Sequence, residues 1–112
     1  MEYSVLLEGQ KLGVILLQEA DPSNGFAFGK LKEQHPDTLG LVKNHCEKNG
    51  IVFEHDESAN FLATYCIPAL QLRAEDSQEA LGFPSYFEGI DDDLNIIVMD
   101  IPHPFYTELL SR

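Results

Sequence analysis

The densest run of chemistry-bearing side chains is Glu54-His55-Asp56-Glu57, with His45 and Cys46 a short segment upstream. Carboxylates and imidazoles bind divalent metals when they converge from set spacings, such as two histidines four positions apart on one helix face. That spacing is absent, so the run reads as a solvated acidic loop and no metal ligand is assigned. Asp91, Asp92 and Asp93 form a second acidic run. A calcium-binding helix-loop-helix needs alternate oxygen ligands, a central glycine and a closing glutamate over about twelve residues. The pattern is missing, and the three aspartates read as a hairpin turn open to a basic partner.

Other chemistry is equally unsupported. Cys46 follows His45 directly, and adjacent helical residues project in different directions, so the two make no nucleophile–base pair. They read as a packed cysteine beside a surface histidine. Gly9, Gly13, Gly25 and Gly29 lack the lysine–serine pair and the close triple-glycine spacing of a phosphate loop, and read as turns and bulges. His103 lies between Pro102 and Pro104 and before Phe105 and Tyr106; this rigid, aromatic-flanked segment is suited to contact a partner. No catalytic residue and no cofactor is assigned.

The elements that must position these residues follow from periodicity and turn chemistry. Residues 3–8 and 12–18 flank the turn Gly9-Gln10-Lys11 at hairpin spacing. The second of these strands is apolar on both faces and is expected to be central. Asp21-Pro22-Ser23-Asn24-Gly25 signals a loop, and a third strand runs over 26–31. Leu39, Val42 and Cys46 recur at helical spacing between Pro36-Asp37 and Gly50, which predicts a helix over 37–49 with those three side chains buried. Strands are expected at 51–53, 61–67 and 69–73. A second hairpin, residues 84–90 and 94–101, turns at Asp91-Asp92-Asp93, and a short helix covers 105–110. This order argues for a single α+β domain over residues 1–112: one mostly antiparallel sheet of five to seven strands, one main helix on a face and a short C-terminal helix.

The 112 residues are 44% apolar and 23% charged, within the range of one globular domain. The longest apolar run, residues 12–17, is far below the roughly 20 needed to span a bilayer, and the start Met1-Glu2-Tyr3-Ser4 lacks the basic residues of a secretory leader. No membrane association and a cytoplasmic location are expected. Cys46 and Cys66 read as free thiols, because a small exported domain relies on more bridges. Nineteen acids against seven bases give a net charge of −12, which repels phosphate backbones and excludes ordinary nucleic-acid binding. The excess is lopsided: residues 1–50 carry net −2 and residues 51–112 net −10.

Leu7-Glu8-Gly9 through Gly13, then Glu19-Ala20-Asp21-Pro22, Gly25, Phe28-Gly29-Lys30 and the ending Ile101-Pro102-His103-Pro104-Phe105-Tyr106 together resemble small uncharacterised bacterial proteins. Some of those are similar in size and charge to toxin-neutralising immunity proteins. The resemblance spans most of the chain and transfers no catalytic residue. With the acidic second half, the leading reading is a non-enzymatic module that docks on a basic protein such as a nuclease toxin, against the plainer reading that the acidity serves only solubility. Candidate contacts are Glu54, Asp56, Glu57, Glu75, Asp76, Glu79, Asp91, Asp92, Asp93 and His103, with Tyr86 and Phe87 as aromatic anchors. The alternative is a small enzyme or ligand carrier with a pocket between sheet and helix, using His45, His55 or His103 as acid–base groups.

Overall fold

The chain begins as a hairpin of β1 (Glu2–Leu7) and β2 (Gln10–Leu16). Glu8 and Gly9 join them, both with left-handed backbone at φ 51° and 79°, the geometry that matches a two-residue turn to the twist of its strands. Val5 pairs with Gly13 and Leu6 with Lys11, so Leu12 is the extra residue of a bulge. Beyond the bulge Val14 exchanges backbone hydrogen bonds of 2.9 and 2.7 Å with Lys32. Glycine is needed at 13 for this approach, since a Cβ there would sit 2.5 Å from the Lys32 carbonyl oxygen. One buried residue further on, at Leu17, the chain enters β3 (Gln18–Asp21) and crosses into a second sheet.

The computed structural model describes residues 2–74, 77–102 and 105–111, without the side chains of residues 105, 107 and 111. After β3 come a 3-10 turn (Pro22–Asn24), β4 (Phe26–Lys30), helix α1 (Thr38–Asn49), β5 (Phe53–Asp56), β6 (Phe61–Thr64) and β7 (Leu70–Ala74). The chain ends in β8 (Leu81–Gly82), β9 (Ser85–Ile90), β10 (Asp93–Val98) and helix α2 (Phe105–Ser111). Four strands form one sheet in the order β2-β1-β7-β8, and six form the other in the order β3-β4-β10-β9-β6-β5. The strand pairings are antiparallel.

The α+β class, the antiparallel pairing, the main helix and the short C-terminal helix agree with the expectation. The strands differ in number, with ten over two sheets among the described residues. β2 lies at an edge of its sheet, not at the centre; the bridge to Lys32 and the bulge account for its burial. Residues 54–56, expected in a loop, form most of β5, where burial alternates with period two along Phe53, Glu54, His55 and Asp56.

One core joins both sheets and both helices. Tyr3, Val5, Leu7, Leu70 and Leu72 come from the smaller sheet, and Leu62, Phe87, Leu94, Ile96 and Val98 from the larger. α1 contributes Val42 and Cys46, and α2 contributes Tyr106 and Leu109. Tyr3 Oη donates to the Leu109 carbonyl at 2.8 Å, which ties α2 to the first strand. In α1, Val42 and Cys46 are fully buried as expected, whereas Leu39 is only half-buried. His45, expected at the surface, is buried, and Glu8 of the hairpin turn reaches its ring. Gly50 ends α1 at φ 68°, with its N–H directed to the Cys46 carbonyl.

Candidate functional site

Register places side chains in rows across the outer face of the six-stranded sheet. Paired residues of antiparallel strands share a face, so one row reads Asp56, Phe61, Ile90, Asp93 across β5, β6, β9 and β10. The next reads Glu54, Ala63, Glu88, Asn95, Lys30. A third reads Tyr86, Ile97, Phe28, Gln18. Every one of these side chains is exposed or half-buried, and none belongs to the core. Their inward neighbours Ala27, Leu62, Phe87, Leu94 and Ile96 are buried instead. The result is an aromatic face open to solvent, with a hollow of about 410 Å³ lined by Phe28, Phe61, Glu88, Gly89, Asn95 and Ile97.

Two acidic runs, distant in sequence, meet at one end of this face. The Asp91 N–H donates to the Asn60 carbonyl at 2.9 Å, which holds the β9–β10 turn against the β5–β6 turn. Glu54, Asp56 and Glu57 therefore share an end of the sheet with Asp91, Asp92 and Asp93. Asp56 accepts from Ser58 through its N–H at 3.0 Å and its hydroxyl at 2.7 Å; these bonds hold the carboxyl below its usual range and keep it ionised. Opposite charge is sparse here. Lys30 Nζ lies 3.0 Å from Asp93, and the Gln34 amide donates to Asp91 at 2.8 Å.

The remaining expected contacts are dispersed. Tyr86 lies on the outer face as expected. Phe87 points the opposite way and is fully buried; the strand alternation that exposes Tyr86 makes Phe87 a core residue and removes it as an anchor. Glu79 is exposed before β8, a strand of the other sheet. Glu75, Asp76 and His103 lie outside the described residues. Phe28, Phe61, Ile90, Ile97 and Glu88 join the site without having been singled out. A signal for Phe28 stood in Phe26-Ala27-Phe28-Gly29, where large and small side chains alternate.

The described histidines, His35, His45 and His55, do not assemble. His45 Nδ1 lies 3.1 Å from Glu8 Oε2, and Lys48 Nζ lies 3.4 Å from Glu8 Oε1. Because a carboxylate only accepts, Nδ1 carries the hydrogen. This bond first, then the Lys48 ammonium, lowers the Glu8 pKa. His45, Asn49, Ile51, Pro68 and Ala69 line a shallow cavity of about 290 Å³. His55 is on β5, on the opposite face from Glu54 and Asp56, and His35 Nδ1 accepts from the Asp37 N–H at 3.0 Å. Among the described residues no group of three His, Cys, Asp or Glu side chains could hold a metal ion. Cys46 and Cys66 are unbridged, and burial raises the Cys46 thiol pKa. No described helix is long and apolar enough to cross a membrane. No protein-family model matches the chain, and neither a curated protein nor a solved structure is significantly similar to it.

Proposed function

We propose that this protein is a non-enzymatic binding module that docks its acidic, aromatic face on a basic protein, in the manner of an immunity protein neutralising a nuclease toxin. One observation carries the reading: Glu54, Asp56 and Glu57 meet residues 91–93 at the rim of a sheet face whose aromatic side chains are half-exposed. A protein that grips nucleic acid must present a basic surface. Carboxylates at the rim steer such a partner in, while apolar and aromatic groups inside the rim supply short-range contact. The two unbridged thiols favour a cytoplasmic setting. The enzyme or carrier alternative has less support, because His45, which lines a cavity, is engaged by Glu8.

The test is a pull-down from the source cell with wild-type protein and with the triple variant D91N/D92N/D93N, followed by association kinetics on the recovered partner. A basic partner, an on-rate that falls with salt, weaker capture by the variant and a nearly unchanged melting temperature are expected, since Asp92 and Asp93 are exposed and asparagine at 91 still offers an oxygen to the Gln34 amide. A neutral or acidic partner, or equal binding at every salt concentration, overturns the reading.

A further inference from the structure

The mode of docking can be read from β5. It is the last strand of the six-stranded sheet, with β6 on one side and no strand on the other among the described residues. The Tyr65 N–H donates to the Val52 carbonyl at 3.0 Å, so the backbone groups of residue 52 point toward β6. Backbone direction alternates along a strand, and the register joins 54 to 63 and 56 to 61, so residues 54 and 56 point the same way. The Asn60 carbonyl faces β9, where it accepts from Asp91; this fixes the same alternation independently from the other side of β6. It follows that the N–H and C=O groups of Phe53 and His55 face the open edge.

We propose that β5 is a docking edge: an extended partner segment with lysine or arginine at alternate positions adds beside it as a seventh strand. This rests on the docking reading above and specifies how contact is made. Strand addition draws affinity from backbone hydrogen bonds and selectivity from alternate side chains. On the outer face, β5 and the residue before it present Val52, Glu54 and Asp56. Val52 is 58% exposed and the neighbouring Tyr65 68%, with a hollow of about 260 Å³ between the two strands. An incoming strand is matched by an apolar side chain against Val52 and Tyr65 and by cations against Glu54 and Asp56, where cross-strand opposite charges attract. The same acids oppose a second copy of this chain, since pairing β5 with β5 would set carboxylates against carboxylates. A basic segment is therefore admitted and self-association is resisted.

Amide hydrogen exchange followed by NMR tests this on the intact protein at low salt. The probes are an acetylated, amidated Thr-Lys-Thr-Lys-Thr-Val peptide, its reversed sequence, and versions of both N-methylated at alternate backbone positions. In the free protein the Phe53 and His55 amides should exchange fast and those of Glu54 and Asp56 slowly. A saturating unmodified peptide should slow Phe53 and His55 exchange about tenfold or more. The N-methylated peptide, equal in charge, should leave them fast, and E54Q/D56N should weaken binding of the unmodified peptide. If both forms bind alike and neither protects those amides, strand addition is wrong while charge-driven docking stands. If no unmodified peptide binds, the edge proposal fails, and the docking reading is then judged by the isoelectric point and salt response of the captured partner.

Discussion

Glu8 shows how one side chain can join elements that the sequence leaves apart. It occupies a left-handed turn position between β1 and β2, yet its carboxylate takes the His45 hydrogen and pairs with Lys48, both from α1. The His45 bond and the Lys48 charge lower its pKa below the usual 4.5. A depressed carboxyl pKa contributes stability that is complete above the unfolded-state value and is lost as pH falls through the folded-state value. Wild type should therefore exceed Glu8→Gln in stability near neutral pH, and the gap should close on acidification below about pH 4. Urea midpoints of the two proteins at stepped pH check this; a gap independent of pH would show that Glu8 acts by packing alone. Adjacent residues are instructive in another way. Tyr86 and Phe87 both look like aromatic anchors, but strand neighbours face opposite sides, so one had to be core. Sequence leaves open which one, because the choice depends on what each face of β9 meets.

Elements were legible where local chemistry is strong. The two hairpins and the helix stopped by Gly50 carry their punctuation in the sequence, although the first hairpin turns at Glu8-Gly9, earlier than the expected Gly9-Gln10-Lys11, because Gln10 and Lys11 pair within β2. β3 (Gln-Glu-Ala-Asp) and β5 (Phe-Glu-His-Asp) were not legible as strands, since edge strands rich in acids lack the apolar runs that announce buried ones. The site inherits this: its acidic residues could be named, but their convergence depends on β6 pairing with both β5 and β9. Gly50 offers a direct check on the helix stop. At φ 68° it has open space around its missing Cβ, so Gly50→Ala should destabilise only through backbone strain, by about 1 kcal/mol. A shift in the urea midpoint with unchanged slope would agree; no shift would mean that the cap relaxes without cost.

For the whole molecule, charge opposes folding and favours association, so salt should act on the two with opposite signs. Nineteen acids and seven bases share a body of 40 × 28 × 24 Å. The screening length is about 30 Å at 10 mM salt, comparable to the molecule, and about 10 Å at 0.1 M. Adding salt over this range removes most repulsion between the acidic end and the remaining carboxylates, which stabilises the folded chain. The same salt weakens favourable pairs such as Lys30–Asp93 and those of Glu8 with His45 and Lys48. Ion pairs with a solvent-exposed partner add little to stability, while the net charge of −12 spreads repulsion over many pairs, so relief of repulsion should win. The urea midpoint of the free protein is thus expected to rise with sodium chloride up to about 0.1 M, as the association rate with a basic partner falls. D91N/D92N/D93N should show both slopes reduced, since it removes three charges from the end where they are densest. Parallel denaturation and stopped-flow series in chloride salts of sodium and potassium separate screening from ion-specific effects. A midpoint that falls with salt would mean that the few ion pairs outweigh the collective repulsion, and equal slopes in the triple variant would place the governing charges elsewhere on the surface.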